Sequence, residues 1–148
     1  MNPTESDLEA SLLTSATDVL ESMYFTSVMG ASEVPLSGEG WAAGLEFKGE
    51  LSGTFTLRLS TEAARLLAAN FFGEEESDMT ETAIGDMVGE MANMICGSVL
   101  SRMETERHFK LSHPLVEVSS DLMQGMDSGV HQLLDTDSGV LALCLMTQ

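Results

Sequence analysis

The chain has 148 residues, 43% of them hydrophobic and 20% charged, with 24 Asp and Glu against 6 Lys and Arg for a net charge of −18. Length and composition suit one folded domain over residues 1–148, large enough to bury a core without disulfides or metal, and the two cysteines, Cys96 and Cys144, make no CxxC pair and no disulfide framework. The charge argues against duplex DNA or an anionic membrane surface as partner, because either would repel the chain before contact.

Residues 1–13 have neither a basic start nor a signal-length apolar run, and nowhere do about 18 apolar residues follow one another. A cytoplasmic protein with no nucleic-acid or membrane partner is expected. Mean hydropathy is +0.08 and the apolar residues are periodic, so the acidity does not signal disorder. All six basic residues lie between Lys48 and Lys110, and the purely acidic flanks read as a solvated, solubilising surface.

Leu8, Leu12, Leu13, Ala16, Val19, Leu20, Met23 and Tyr24 recur at the three-and-four spacing of a helix burying one face, and Ser6 with Glu9 makes a capping box for its start. Residues 30–40, with Ser32, Pro35, Ser37 and Gly38, read as a loop. Trp41, Ala43, Leu45 and Phe47 then alternate with Ala42, Gly44 and Glu46. Leu51, Gly53, Phe55, Leu57 and Leu59 alternate with Ser52, Thr54, Thr56 and Arg58. These are two strands of a hairpin joined across Lys48-Gly49-Glu50, with one buried face. Ser60 caps a short helix that runs through Phe71 and is closed by Gly73.

Glu74-Glu75-Glu76-Ser77-Asp78 is a charged linker to a long helix from about Thr80 to Met103. Beyond it, apolar runs at Phe109 to Leu111, Leu115 to Val118, Val130 to Leu134 and Val140 to Met146 are separated by Pro114, Gly125, Gly129 and the turn Asp135-Thr136-Asp137-Ser138-Gly139. The last run is apolar on both faces and reads as a central strand, although its pattern alone also fits a helix. Together these elements predict an α+β domain, a mostly antiparallel sheet with two long helices packed on it.

The long helix carries the chemistry. At about 100° per residue, with Asp86 at zero, Glu90 falls at about 40°, Asn93 at about 340° and Gly97 at about 20°, one narrow polar stripe. Ile84, Val88, Met91, Ala92, Ile95 and Val99 fall on the opposite side. Asn is a mediocre helix former and a mid-helix Gly costs about 1 kcal/mol relative to Ala, yet this helix holds Gly85, Gly89, Gly97 and Asn93. Local rules broken in this way mark function, and Gly97 would let another backbone come close. The plainer alternative is that Gly85 and Gly89 admit a neighbouring helix and that the acids are merely solvated. Residue types alone leave both readings standing.

Asp86-Met87-Val88-Gly89-Glu90-Met91-Ala92-Asn93, with Pro114 following Asn93 by 21 positions, resembles the signature of the CheC/CheX/FliY family of chemotaxis phosphatases: Asp or Ser, three residues, Glu, two residues, Asn, then a distant Pro. The hairpin before it and the strands after it match as well, so the resemblance covers about Leu8 to Met146. It is nearest to CheX, because one copy of the motif is present. The equivalent stretch of the first helix, Glu21-Ser22-Met23-Tyr24, has Tyr where Asn would stand.

The resemblance implies hydrolysis of the aspartyl phosphate on a response-regulator receiver domain such as CheY, in chemotaxis or another two-component pathway. Catalysis would fall to Asn93, whose amide can orient a water but cannot act as a base, and to Glu90, which would pair with the receiver's active-site lysine. Asp86 and Gly97 would extend the partner contact, and Pro114 would be structural. Any Mg²⁺ would sit on the receiver's own carboxylates, so no cofactor or metal of its own is expected, and CheX-like proteins pair as homodimers. The competing reading on the same fold is a non-catalytic receiver-binding or flagellar-switch module.

Other chemistries fit less well. A di-metal carboxylate site wants Glu-x-x-His, and three residues after Glu90 comes Asn93. His108 and His113 are poorly spaced as ligands and His131 is alone. The turn at residues 135–139 lacks the distal Glu of a calcium loop and reads as a hairpin turn. Cys96, beside the stripe, reads as half-buried structure without an activating neighbour. Among the eleven methionines, Met87 and Met94 flank the stripe and would cushion a docked partner.

Overall fold

The structure is a computed structural model that describes residues 4–103, 109–122 and 129–148. His108 and Gly125 lie outside the described residues. Among the described residues, three α-helices, α1 (Glu5–Met23), α2 (Thr61–Phe72) and α3 (Glu81–Met103), accompany seven strands: β1 (Val28–Ala31), β2 (Gly40–Lys48), β3 (Gly53–Ser60), β4 (Lys110–Leu111), β5 (Leu115–Ser119), β6 (Val130–Thr136) and β7 (Gly139–Thr147). The strands form one sheet in the order β1-β6-β7-β3-β2-β4, with β5 also paired to β2 further along the same edge, and every pairing is antiparallel. This is the expected α+β class.

The hairpin of β2 and β3 forms, with Trp41, Ala43, Leu45 and Phe47 facing the same core as Phe55, Leu57 and Leu59, but its turn is residues 49–52 rather than Lys48-Gly49-Glu50, so Lys48 ends β2 and Leu51 and Ser52 precede β3. β7 lies between β6 and β3, which explains why its sequence is apolar on both faces. Its outward Ala142 joins Leu36 and Leu122 in a small second cluster on the sheet's far side. Ser60 caps α2 by accepting from the Ala63 N–H at 3.1 Å, and Gly73 closes it in the left-handed region at φ 68°. The charged linker contains a single 3₁₀ turn at Glu76–Asp78.

Three local expectations are corrected. The capping box of α1 is Thr4 with Asp7: Thr4 Oγ1 accepts from the Asp7 N–H at 3.0 Å and Asp7 Oδ2 accepts from the Thr4 N–H at 3.1 Å, two residues before the Ser6 and Glu9 pair. Overlapping capping patterns exist there, and the earlier one starts the helix at Glu5, two residues sooner. Leu13 and Met23, assigned to the apolar face, are 38% and 42% exposed, one at the border of the buried arc and the other at the helix end. The loop expected over residues 30–40 begins with strand, because β1 pairs with β6 through an irregular register between Val28 and Gly30.

α3 packs against α1, α2 and β2, and Ile84, Met87, Val88, Met91, Ala92, Ile95, Cys96 and Val99 are all buried to 1% exposure or less. Its glycines meet the sheet rather than a helix. A Cβ on Gly85 would lie 3.2 Å from Cζ3 of Trp41, and one on Gly89 would lie 3.1 Å from Cγ2 of Val116. Missing side chains thus let the helix close onto β2 and β5.

Candidate functional site

Because α3 is buried around most of its circumference, the polar stripe is what it shows to solvent. Asp86 and Glu90 are exposed, and Asn93 and Gly97 are half-buried. Four residues related by three-and-four spacing share one helix face, so the structure brings these four expected residues together. The stripe holds two carboxylates, an amide and bare backbone, and no basic group or nucleophile. Such a surface cannot hold a phosphate by itself. It can meet a cation with a carboxylate and position a water with an amide.

Pro114 joins the stripe from a distance in sequence. A Cβ on Gly89 would come within 3.4 Å of Pro114 Cγ, so the proline ring rests on α3 immediately before Glu90. The edge of the sheet breaks between β4 and β5 at Ser112-His113-Pro114. There Ser112 donates its N–H to the Glu46 carbonyl at 2.8 Å, and its Oγ accepts from the Glu46 N–H at 2.8 Å. A proline, with no N–H to donate, suits that break. Among the described residues no other segment brings its backbone against Gly97; a Cβ there would meet Leu111 Cδ1, at 3.8 Å.

On the other flank Met87 is fully buried and cannot cushion a partner, whereas Met94 is half-buried over the phenol of Tyr24, whose hydroxyl donates to Met94 Sδ at 3.8 Å. Tyr24 is itself fully buried. Its ring stacks on Phe71 with centroids 5.0 Å apart, and its carbonyl accepts from Asn70 Nδ2 at 3.1 Å. Burial first, and then the nearby charge of Glu90, push the phenol's pKa well above its usual value. Tyr24 is a neighbour of the stripe that the sequence pattern placed only in the core of α1. In the corresponding stretch of α1, Tyr24 is fully buried and Glu21 Oε2 accepts from the Val28 N–H at 3.2 Å.

The remaining candidates are structural. Cys96 is fully buried rather than half-buried, and burial pushes its thiol up to about 12. His113 is exposed beside the Pro114 break, and His131 faces Cys144 across β6 and β7. The turn at residues 135–139 is the hairpin between β6 and β7. Its Asp137 carboxylate accepts from Thr26 Oγ1 and, at 3.0 Å, from the Ser27 N–H, bonds that hold its pKa below the usual carboxylate range. Among the described residues no cluster of three His, Cys, Asp or Glu side chains is placed to hold a metal, and no helix is long and apolar enough to cross a membrane.

The sequence model of the family described as "Chemotaxis phosphatase CheX" matches residues 42–132, a span that includes the stripe and Pro114. The fold is shared with the chemotaxis protein CheX from Vibrio vulnificus at 17% identity and a TM-score of 0.80, over 99% of this chain and 100% of that one. It is shared with CheX in the CheX-CheY-BeF3-Mg²⁺ complex from Borrelia burgdorferi at 16% identity and a TM-score of 0.68, over 94% and 96% of the two chains. FliY from Thermotoga maritima aligns at 17% identity and a TM-score of 0.64, over 99% of this chain and 91% of that one. No curated protein sequence matches the chain.

Proposed function

This chain belongs to the family of the chemotaxis phosphatase CheX, and we propose that it hydrolyses the aspartyl phosphate of a CheY-like receiver domain. The carrying observation is that Glu90 and Asn93 stand together on the solvent-facing stripe of a helix otherwise buried in the core. An acyl phosphate is already activated, so a catalyst has mainly to place a water in line with phosphorus and hold the partner still.

Asn93 performs the first task. Its amide accepts one hydrogen bond from the water and donates another, aiming the oxygen at phosphorus while the bond from phosphorus to the aspartyl oxygen breaks and inorganic phosphate leaves. Glu90, one turn earlier, performs the second by pairing with the receiver's active-site lysine. Asp86 extends that contact, Gly97 leaves room for the partner's surface, and Pro114 braces the helix. Mg²⁺ belongs to the receiver's carboxylates and this chain supplies no cofactor. The Borrelia burgdorferi relative, found with CheY, BeF3 and Mg²⁺, supports this choice of partner. With a net charge of −18 the long-range field does not draw in an acidic receiver, so recognition rests on the local Glu90 to lysine contact.

We place the protein in the cytoplasm as a single-domain homodimer. The test is the loss of phosphate from candidate receivers charged with a small acyl-phosphate donor, with wild type and with Asn93→Ala. Acceleration by wild type and a drop of about 10²–10³ in the variant, with binding kept, is the expected result. A receiver that binds but keeps its phosphate would make the protein a docking module instead. Size-exclusion of Glu90→Arg checks a third use of the stripe, because a shift in oligomeric state would place it between protomers.

A further inference from the structure

Tyr24 is the sole tyrosine of the chain, and it is buried to 0% exposure against the helix that carries the stripe. A buried phenol needs an acceptor for its hydroxyl. The acceptor present is the sulfur of Met94 at 3.8 Å, among the weakest a side chain offers. Met94 lies one helical turn beyond Glu90 and next to Asn93, so the hydroxyl sits under the step between the two residues assigned to the chemistry. Three contacts keep it there: the ring on Phe71, Asn70 on the backbone carbonyl, and Met94 against the oxygen.

Glu90 has the opposite character. It is exposed on a long side chain, and fixing such a chain costs rotamer freedom unless something limits its choices beforehand. A carboxylate is a far better acceptor than a thioether. Burial raises the phenol's pKa and the nearby charge of Glu90 raises it further.

Resting on the phosphatase reading above, we propose that Tyr24 is a positioning residue for Glu90: its clamped hydroxyl donates to the Glu90 carboxylate and holds it in the attitude in which a receiver's lysine meets it. Closure of a partner over the stripe excludes water and strengthens that bond. The inward tyrosine of the first helix thus serves the single motif of the third.

Tyr24→Phe keeps the ring and its stack while removing the donor. The expected result is a KM for phosphorylated receiver about tenfold higher, the size of one hydrogen bond to a charged group, with kcat unchanged. In the Tyr24→Phe background, Glu90→Gln should add far less to KM than it does alone. A structural role would lower the active fraction and the melting temperature without dividing KM from kcat.

A second measurement needs no partner and no Tyr24 variant. Incorporated 3-fluorotyrosine gives one ¹⁹F resonance, which Glu90→Gln must move while the protein stays folded. An unmoved resonance, or an unchanged KM in folded Tyr24→Phe, overturns the proposal. If wild type dephosphorylates no receiver, the phosphatase reading falls on that result alone. The positioning of Glu90 is then decided by the resonance, movement supporting it and immobility overturning it.

Discussion

Gly89 and Val116 meet through a missing side chain: a Cβ on the glycine would lie 3.1 Å from Cγ2 of the valine, with Pro114 Cγ at 3.4 Å on its other side. Helix propensity alone favours Gly89→Ala by about 1 kcal/mol. Overpacking costs about 1–3 kcal/mol, and the obstacles are a strand side chain and a rigid ring rather than a flexible tip. Gly89→Ala should therefore lower the unfolding free energy by a net of up to about 2 kcal/mol, read as a lower urea midpoint.

The contrasting substitution is Gly97→Ala. Among the described residues its Cβ would meet Leu111 Cδ1 at 3.8 Å, an ordinary contact. The helix gain of about 1 kcal/mol then survives, so the variant should be more stable than wild type while its affinity for a receiver falls. Stability and binding measured on one sample move in opposite directions if Gly97 is open for a partner.

Phe25 is held at φ 52° and is 70% exposed. It follows the end of α1, where the Thr26 N–H turns back to the Leu20 carbonyl at 3.3 Å, a geometry usually given to glycine. A bulky residue there is strained by about 1–2 kcal/mol and its exposed ring recovers little of it. Phe25→Gly should raise thermal stability by up to about 1 kcal/mol once the extra freedom of glycine in the unfolded chain is subtracted. A fall in melting temperature would show that the ring packs on the fold.

The legible parts of this fold were those decided within a few residues. Ser60 and Gly73 punctuate α2 as read, and the alternation from Trp41 to Leu59 forms the hairpin, because each feature is local chemistry. β1 is not legible because Val28-Met29-Gly30-Ala31 alternates in exposure but not between apolar and polar residue types, and it is only four residues long. Thr4 displaced Ser6 as cap because two overlapping patterns compete and sequence does not rank them. At the site, spacing alone placed Asp86, Glu90, Asn93 and Gly97 on one face. The neighbours of that face, Val116 against Gly89 and Tyr24 under Met94, depend on which element packs where, which angular counting along one helix does not contain.

Met87 illustrates the same limit and carries a prediction. Helical spacing put it beside the stripe, but its side chain is fully buried in the core. Met87→Ala should cost about 2–5 kcal/mol, as other large-to-small core changes do. The affinity of the fraction that remains folded for a receiver should stay unchanged, because the side chain never reaches the partner. Denaturant titration and binding on the same preparation separate the two effects.

Cys96 makes stability depend on alkaline pH. Its native thiol is pushed up to about 12 by burial, whereas an unfolded cysteine ionises near pH 8.5. A group whose folded pKa is raised stabilises fully below the unfolded pKa and loses that contribution as pH rises towards the folded one. Stability should therefore hold to about pH 8.5 and fall steadily above it as unfolded thiols ionise and native ones do not. Cys144 and Tyr24 are shifted in the same direction and steepen the fall. Cys96→Ala removes one of these groups, so its urea midpoint should depend less on pH above about 8.5 than that of wild type. Equal slopes in the two proteins would show that the thiol ionises as freely in the folded core as in the unfolded chain.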